Sequence, residues 1–189
     1  MELLKRIDII KILMEYIKDE LIISNIGFPS KELYKLKDRN ENFYMLGSMG
    51  LCSSIGLGVA LSTPNKKVIS IDGDGSVLMN LGTLSTIGHT KPNNYILLIV
   101  DNGAYGSTGN QKTHTNNTKL EEIAKACNIT TIKTENEKEL REGIIKALNN
   151  NETTIIVAKA MPYNEKTENI KIPPEVIKYR FMNCINKNM

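Results

Sequence analysis

Cysteine is scarce in this sequence, and no two cysteines are close together. Three are present in 189 residues, Cys52, Cys127 and Cys184, and they form no C-x-x-C pair. This spacing argues against a zinc site, an iron–sulfur cluster or a disulfide framework within the chain. We therefore expect three buried thiols in a reducing compartment.

Two further features that the sequence lacks are an excess of one charge and a long apolar run. Lysine and arginine outnumber aspartate and glutamate by only 24 to 21, without the basic stripe of a nucleic-acid-binding protein. Residues 1–20 carry a charge every few positions, which predicts an amphipathic helix over 2–20 and argues against a signal peptide or membrane span. With no repeat, low-complexity tract or linker, residues 1–189 indicate one cytoplasmic domain.

What the sequence does contain is an alternation of strand and helix patterns. The predicted strands are 21–27, 42–46, 66–71, 94–100, 130–134 and 153–161. The predicted helices are 2–20, 28–38, 51–62, 76–89, 119–127, 137–149 and a short one after Pro173 and Pro174, with a polar loop at 101–117. Gly56 and Gly58 within 51–62 indicate close packing. This order predicts an α/β fold, an open, doubly wound, mostly parallel sheet with helices on both faces.

The stretch VISIDGDGSVLMN, Val68–Asn80, places two aspartates and two glycines at the end of a predicted strand. An EF-hand loop starting at Asp72 would need glycine at its sixth position and glutamate at its twelfth, where the sequence has Val77 and Thr83. It would also have to join two helices, not a strand and a helix. A calcium loop of this kind is therefore excluded.

A phosphate-binding loop fits the same stretch better. Ligands of doubly wound sheets lie beyond the carboxyl ends of the strands, and glycines allow the backbone to approach a phosphate. Asp74 would repel that anion unless a divalent cation lay between them, and Mg²⁺ prefers such oxygen ligands. Asp101 and Asn102 end the next predicted strand and provide a second set of oxygens at the same edge. Each motif alone is most often an ordinary turn, but their joint occurrence favours a metal–diphosphate site.

Three motifs in this order resemble the thiamine diphosphate-dependent decarboxylase family. They are Gly47-Ser48-Met49-Gly50, the GDG sequence at 73–75, and Asp101-Asn102, where the family has two asparagines. The resemblance implies thiamine diphosphate and Mg²⁺ as cofactors, with a metal site formed by Asp74, Asn102 and the carbonyl of Ala104. The cofactor-binding residues that it implies are Gly47, Ser48, Met49, Gly73, Gly75, Ser76, Tyr105 and Gly106. Among these, Gly47 would accept from the aminopyrimidine and Met49 would support the bent cofactor.

The resemblance also implies a missing partner. In the family, the glutamate that activates the cofactor comes from a separate pyrimidine-binding domain, for which this chain has no room. We therefore expect a hetero-oligomer with a pyrimidine-binding α subunit, and no catalytic residue is assigned within this chain. Asp101 departs from the family pattern by adding a negative charge beside the metal.

Within the family, the three motifs look most like those of sulfopyruvate and phosphonopyruvate decarboxylases. The implied reaction is conversion of 3-sulfopyruvate to sulfoacetaldehyde and CO₂ in coenzyme M biosynthesis. The alternatives are a phosphonopyruvate decarboxylase subunit, a β subunit of a 2-oxoacid:ferredoxin oxidoreductase, and a non-catalytic subunit that binds Mg²⁺ and diphosphate.

A sulfonate substrate requires nearby cations or hydrogen-bond donors. The candidates in this chain follow the second metal motif: Gln111, Lys112, Thr113 and His114. His89 is interpreted as a structural residue that ends a helix, since a cationic or hydrogen-bonding side chain suits the exposed carbonyls there. Arg180 is interpreted as a surface residue, with contact to a neighbouring subunit or the substrate as the alternative.

Overall fold

The computed structural model describes residues 3–186. The strands are β1 Leu21–Ser24, β2 Asn42–Tyr44, β3 Val68–Gly73, β4 Tyr95–Asp101, β5 Ala104–Tyr105, β6 Gln111–Lys112, β7 Thr130–Thr134 and β8 Thr154–Lys159. The helices are α1 Arg6–Tyr16, α2 Phe28–Leu36, α3 Cys52–Ser62, α4 Asp74–Met79, α5 Gly82–Thr90, α6 Leu120–Ala126, α7 Glu137–Asn149 and α8 Pro174–Asn186.

Six of the strands form one parallel sheet in the order β2-β1-β3-β4-β8-β7. From β1 the chain moves to the β2 edge and then returns to add β3 on the other side of β1. The direction of winding therefore reverses between β1 and β3, and loops after these strands diverge to leave a crevice. The predicted doubly wound α/β fold is confirmed, and the crevice is where such folds bind ligands.

The core has two layers because alternate residues of each strand point to opposite faces of the sheet. One layer packs the sheet against α1, α2 and α7, and includes Ile22, Ile69 and Leu98. The other packs it against α3, α5 and α6, and includes Ile23, Leu97 and Ile99. Every residue of β4 is buried, as expected for a central strand covered on both faces.

The predicted close packing of the glycines in α3 is confirmed at one of two positions. A Cβ atom at Gly56 would overlap the Ser70 hydroxyl of β3, so only glycine allows α3 to lie this close to the sheet. Gly58 has open space around it, because it lies on the side of the helix that faces away from the strands.

Two helix predictions were wrong in their extent. The helix predicted over 76–89 is two helices, α4 and α5, because the backbone turns at Asn80 and the Asn80 side chain donates to Ser54 Oγ at 3.1 Å. The helix predicted over 2–20 ends at Tyr16, because Ile17 is extended and the Lys18 N–H binds the Glu20 carboxylate at 2.6 Å. Glu2 lies outside the described residues.

The remaining differences concern the cysteines and the loop at 101–117. Cys52 is buried as predicted, whereas Cys127 and Cys184 are only half-buried because they lie at the end of α6 and on the side of α8. The loop contains the small hairpin formed by β5 and β6 and a 3₁₀ turn at His114–Asn116. Within residues 3–186, no helix has the length and apolar character needed to cross a membrane.

Candidate functional site

A cleft at the carboxyl edge of the sheet encloses about 740 Å³ of space, part of it open to solvent. Its walls come from the loops after β1, β3 and β4, with Arg6 from the start of α1. Eight predicted site residues beyond the first motif line it: Gly73, Asp74, Gly75, Ser76, Asn102, Ala104, Tyr105 and Gly106. Met49 of the first motif lines it as well. The structure therefore brings together the two metal motifs that the sequence analysis paired.

The loops after β3 and β4 contact each other directly. A Cβ atom at Gly75 would overlap the ring of Tyr105, so the absence of a side chain lets the two loops meet. Gly73 has no atom near the corresponding position, which leaves its backbone open for a ligand to approach. The GDG sequence thus uses one glycine for packing and the other for access.

Two threonines connect the aspartates of these loops. Thr113 donates to Asp74 Oδ2, and Thr115 lies 2.9 Å from Asp101 Oδ1 and 3.2 Å from Asp74 Oδ2. The two hydroxyls are 2.9 Å apart. All four side chains are buried, so the network fixes the carboxylate of Asp74 relative to the end of β4.

The extra charge of Asp101 has a counterion that the sequence analysis did not identify. Lys159 ends β8, lies opposite Asp101 in the parallel register, and forms an ion pair with Asp101 Oδ2. The charge that departs from the family's asparagine is therefore neutralised within the chain, and it does not point freely into the cleft.

Burial dominates the electrostatics of the two aspartates in the GDG segment. It raises the pKa of Asp74, where the Thr113 hydroxyl acts in the opposite direction and the charge of Asp101 adds to the increase. It also raises the pKa of Asp72 to about 6, and Asp72 Oδ1 accepts the Gly73 N–H at 2.9 Å as a turn cap. A cation beside Asp74 would offset the cost of burying its charge.

The residues present fit a magnesium–diphosphate group by the chemistry of their donors. One carboxylate from Asp74, one amide oxygen from Asn102 and the backbone of Ala104 lie at the same cleft. Asn102 Oδ1 accepts the Ala104 N–H at 3.2 Å, which fixes the amide and leaves a second lone pair. Within the described part of the chain, no cluster of three or more histidine, cysteine, aspartate or glutamate side chains could hold a metal ion. Mg²⁺ commonly binds with few protein groups and a diphosphate, which this set matches.

The motif at 47–50 is divided between two pockets. Met49 lines the cleft, and the Gly50 N–H donates to Ser76 Oγ at 3.0 Å, which ties the motif to the start of α4. Gly47 and Ser48 instead line a neighbouring pocket against α8. The backbone turns sharply here, with φ of 60° at Ser48 and 96° at Gly50, so the chain changes direction between the two pockets.

Some residues of the site were missed by sequence reasoning. Arg6 and the segment 25–29 line the cleft, and Asn164 donates to the Gly106 carbonyl at 2.8 Å. These residues are distant in the sequence from the GDG and Asp-Asn motifs. One available signal was the Gly-Phe-Pro sequence after β1, which lies at the same sheet edge and begins α2 with φ of 77° at Gly27.

The residues considered for sulfonate binding do not converge on the cleft. Gln111, Lys112 and His114 are exposed and do not line it, because the hairpin carries them away from the sheet edge, whereas Thr113 is buried against Asp74. Arg180 lies at the surface but is partly buried, because its side chain is 13% exposed and pairs with Asp38. His89 lies in the last turn of α5, as predicted.

This combination of a doubly wound sheet and an edge cleft with oxygen donors is that of a diphosphate-binding domain. Residues 26–158 match the family described as thiamine pyrophosphate enzyme, C-terminal TPP binding domain. The chain belongs to this thiamine pyrophosphate enzyme family, so the expected thiamine diphosphate-binding fold is confirmed.

Curated relatives extend the similarity beyond the matched domain. The chain is 63% identical to sulfopyruvate decarboxylase subunit beta of Methanocaldococcus jannaschii, over 97% of this chain and 98% of that protein. It is 44% identical to sulfopyruvate decarboxylase of Methanosarcina acetivorans, over 96% of this chain but 47% of that protein.

A solved structure supports the fold. The thiamine diphosphate-dependent 4-hydroxybenzoylformate decarboxylase of Rhodococcus jostii RHA1 superposes with a TM-score of 0.74 at 17% identity, over 85% of this chain. The matched part is 33% of that protein. The sheet and its helices therefore correspond to about a third of a larger thiamine diphosphate enzyme.

Proposed function

We propose that this chain is a single-domain β subunit of a cytoplasmic, heteromeric decarboxylase that converts 3-sulfopyruvate to sulfoacetaldehyde and CO₂ in coenzyme M biosynthesis. The observation that carries the proposal is the cleft in which the loops of Asp74 and Asn102 meet. The similarity over nearly the whole length to a protein named sulfopyruvate decarboxylase subunit beta supports this substrate.

In this proposal the cleft holds thiamine diphosphate through Mg²⁺. Asp74, the Asn102 amide and the Ala104 carbonyl would ligate the metal. Backbone N–H groups of Gly75, Ser76, Tyr105 and Gly106 would bind the diphosphate, and Gly73 would lie against it. The open backbone of Gly73 supports close approach of the anion.

The motif at 47–50 would hold the organic part of the cofactor. Met49 lines the same cleft and would support the rings. Gly47 and Ser48 are exposed and line the neighbouring pocket, and in this proposal they would contact the aminopyrimidine end of the cofactor. The bound cofactor supplies an electron sink for loss of CO₂ from a 2-oxo acid. This chain would hold the cofactor in position and place charged and polar groups around its diphosphate. Hydrogen bonds already hold two of these groups, Asp74 and Asn102, in place.

A partner subunit is required in this proposal. Within residues 3–186, Arg6 and Asp74 are the charged side chains that line the cleft, and no glutamate lines it. Apolar side chains beside the motifs are exposed: Leu46 by 60%, Leu51 by 43% and Met79 by 62%. Such a patch is typical of an interface. The similarity of this chain to 47% of a longer sulfopyruvate decarboxylase also supports a partner of comparable size.

Reconstitution tests the proposal. The purified chain is mixed with a pyrimidine-domain α subunit, thiamine diphosphate and Mg²⁺, and CO₂ release is measured with 3-sulfopyruvate, phosphonopyruvate and pyruvate. Parallel reactions contain CoA and an electron acceptor. We expect sulfoacetaldehyde from the mixture, no product from either subunit alone, and no dependence on CoA.

Each arm of the reconstitution has a contradicting outcome. Decarboxylation by the isolated chain would contradict the need for a partner. Preference for phosphonopyruvate would indicate a phosphonopyruvate decarboxylase subunit. A requirement for CoA and the electron acceptor would indicate a 2-oxoacid:ferredoxin oxidoreductase subunit. Binding of thiamine diphosphate by the complex without turnover of any 2-oxo acid would indicate a non-catalytic subunit.

A further inference from the structure

We infer that Arg6 is a binding residue for the cofactor's diphosphate; this inference rests on the proposed function. Arg6 is the one cationic side chain among the described residues that line the cleft. The other charged side chain there is Asp74, whose negative charge the metal would offset. Arg6 thus provides the cleft's own positive charge for a ligand that carries several negative charges.

The guanidinium of Arg6 is held rigidly with one nitrogen left over. Its Nε and Nη2 donate to the two carboxylate oxygens of Glu32 at 2.8 and 2.9 Å, and Nη2 also lies 3.1 Å from Asn164 Oδ1. Nη1 has no hydrogen-bond partner within residues 3–186. Arg6 is 6% exposed, and its guanidinium carbon lies 5.2 Å from the centre of the Phe28 ring, which also lines the cleft. A donor fixed in this way loses little conformational freedom when a ligand binds.

The contacts of Arg6 connect it to the predicted diphosphate loop. Asn164 accepts from Arg6 and donates to the Gly106 carbonyl at 2.8 Å. A Cβ atom at Gly106 would overlap the Asn164 side chain, so this bridge needs glycine at 106. Arg6 is therefore one side chain away from Gly106, and this position favours the diphosphate as its anionic partner over the sulfonate of the substrate.

The alternative is that Arg6 has a purely structural role, and the test must distinguish this role from ligand binding. Arg6 begins α1 and its ion pair with Glu32 joins α1 to α2, so its removal alone would leave Glu32 buried without a counterion. The informative variant is therefore the double substitution Arg6→Gln with Glu32→Gln, which removes both charges together. The matched control is Arg180→Gln with Asp38→Asn, which removes a partly exposed arginine–carboxylate pair away from the cleft.

The experiment measures ligand affinity in the reconstituted complex. Thiamine diphosphate and thiamine are titrated calorimetrically in the presence of Mg²⁺, with circular dichroism to verify that each variant is folded. We expect the Arg6 and Glu32 double variant to bind thiamine diphosphate at least about tenfold more weakly, as for loss of a hydrogen bond to a charged group. Its affinity for thiamine should change less than about threefold, because a neutral ligand end gains little from the guanidinium. The control pair should alter neither affinity.

Several results would overturn the inference. One is a folded double variant that binds thiamine diphosphate as the wild type does. Others are an equal loss of affinity for both ligands, or a change confined to KM for sulfopyruvate. If the wild-type complex itself failed to bind thiamine diphosphate with Mg²⁺, the proposed function and this inference would both fail. If the wild type and the double variant bound thiamine diphosphate equally well, only the assignment of Arg6 would fail, and the proposed function would stand.

Discussion

Charged side chains are paired in two regions of the molecule, and the two regions differ in what surrounds them. At the carboxyl edge, beside an open cleft, threonine hydroxyls join Asp74 to Asp101, and Lys159 forms an ion pair with Asp101. On the flank where α8 covers β2, Arg180 donates to both oxygens of Asp38, and its guanidinium lies 5.6 Å from the centre of the Tyr44 ring. The Tyr44 hydroxyl also donates to Asp38 Oδ1 at 2.8 Å.

The difference lies in what the charged groups face. On the flank, both carboxylate oxygens of Asp38 are occupied by side chains of the protein, so the pair attaches a helix to the sheet. At the edge, Asp74 and Asn102 line a cleft, so part of their polar surface faces open space and not other side chains. Substitutions at the edge should therefore change ligand binding, whereas substitutions on the flank should change stability.

The largest effect should follow from Asp74→Ala. Removing the one carboxylate at the predicted metal site should weaken Mg²⁺-dependent binding of thiamine diphosphate by more than roughly 100-fold, since even outer partners of metal ligands contribute up to about that much. Calorimetric titration of the reconstituted complex measures this loss. Undiminished binding would remove Asp74 from the metal site and abolish the contrast between the two regions.

Lys159→Met should have the next largest effect, through stability. The substitution leaves Asp101 buried without its counterion, and we expect a loss of about 2 kcal/mol in the free energy of unfolding, less than for a fully buried pair because Lys159 is partly exposed. Adding Asp101→Asn, which introduces the family's residue, should recover most of that loss. Urea denaturation of the two single variants and the double variant gives the coupling energy. Additive effects would show that the pair does not neutralise Asp101.

Gly75→Ala tests the contact between the loops after β3 and β4. The added methyl group would overlap Tyr105, and we expect a destabilisation of about 1–2 kcal/mol together with weaker cofactor binding. Gly58→Ala in α3 is the matched control, because its Cβ atom would have open space; there we expect a gain of up to about 1 kcal/mol. Equal effects of both substitutions in urea denaturation would contradict the proposed contact.

The smallest effect should come from the flank, and it depends on pH. Burial alone would raise the pKa of Asp38, but hydrogen bonds from Arg180 and Tyr44 lower it below the usual value. The folded chain therefore releases this proton at a lower pH than the unfolded chain, so the stabilisation is present above the ordinary value near 4 and is lost as pH falls below it.

Asp38→Asn tests this pH dependence. It should cost less than about 1 kcal/mol near neutral pH, because the pair is partly exposed, and the difference from wild type should shrink in acid. Its affinity for thiamine diphosphate should not change. A stability difference that grows as the pH falls would show that folding raises the pKa of Asp38 and does not lower it.

The fold could be predicted from the sequence because its signals are local. Strands such as β4 are continuous apolar runs, and α7 was predicted with its observed ends, where Asn136 caps the first turn by accepting the Glu139 N–H at 3.0 Å. The break at Asn80 could not be predicted, because it depends on a hydrogen bond to Ser54 in another helix. Helical spacing continues on both sides of the break, so the pattern alone indicated one helix.

The candidate site also contains residues that the sequence predicts and residues that it does not. The GDG and Asp-Asn motifs follow strands directly, so parallel topology alone brings Asp74 and Asn102 to one edge. Arg6, Asn164 and Lys159 reach that edge from distant segments, and their roles depend on contacts across the fold. Lys159 in particular has no motif: its pairing with Asp101 follows from the register of β4 and β8.

The position of a bound metal ion would show directly whether Asp74, Asn102 and Ala104 form one site. Crystals of the reconstituted complex with thiamine diphosphate and Mn²⁺ in place of Mg²⁺ would locate the ion by its anomalous scattering. We expect one peak in the cleft, within coordination distance of the Asp74 carboxylate, the Asn102 amide oxygen and the Ala104 carbonyl. A peak elsewhere, or a bound cofactor whose diphosphate does not contact the loops after β3 and β4, would contradict it.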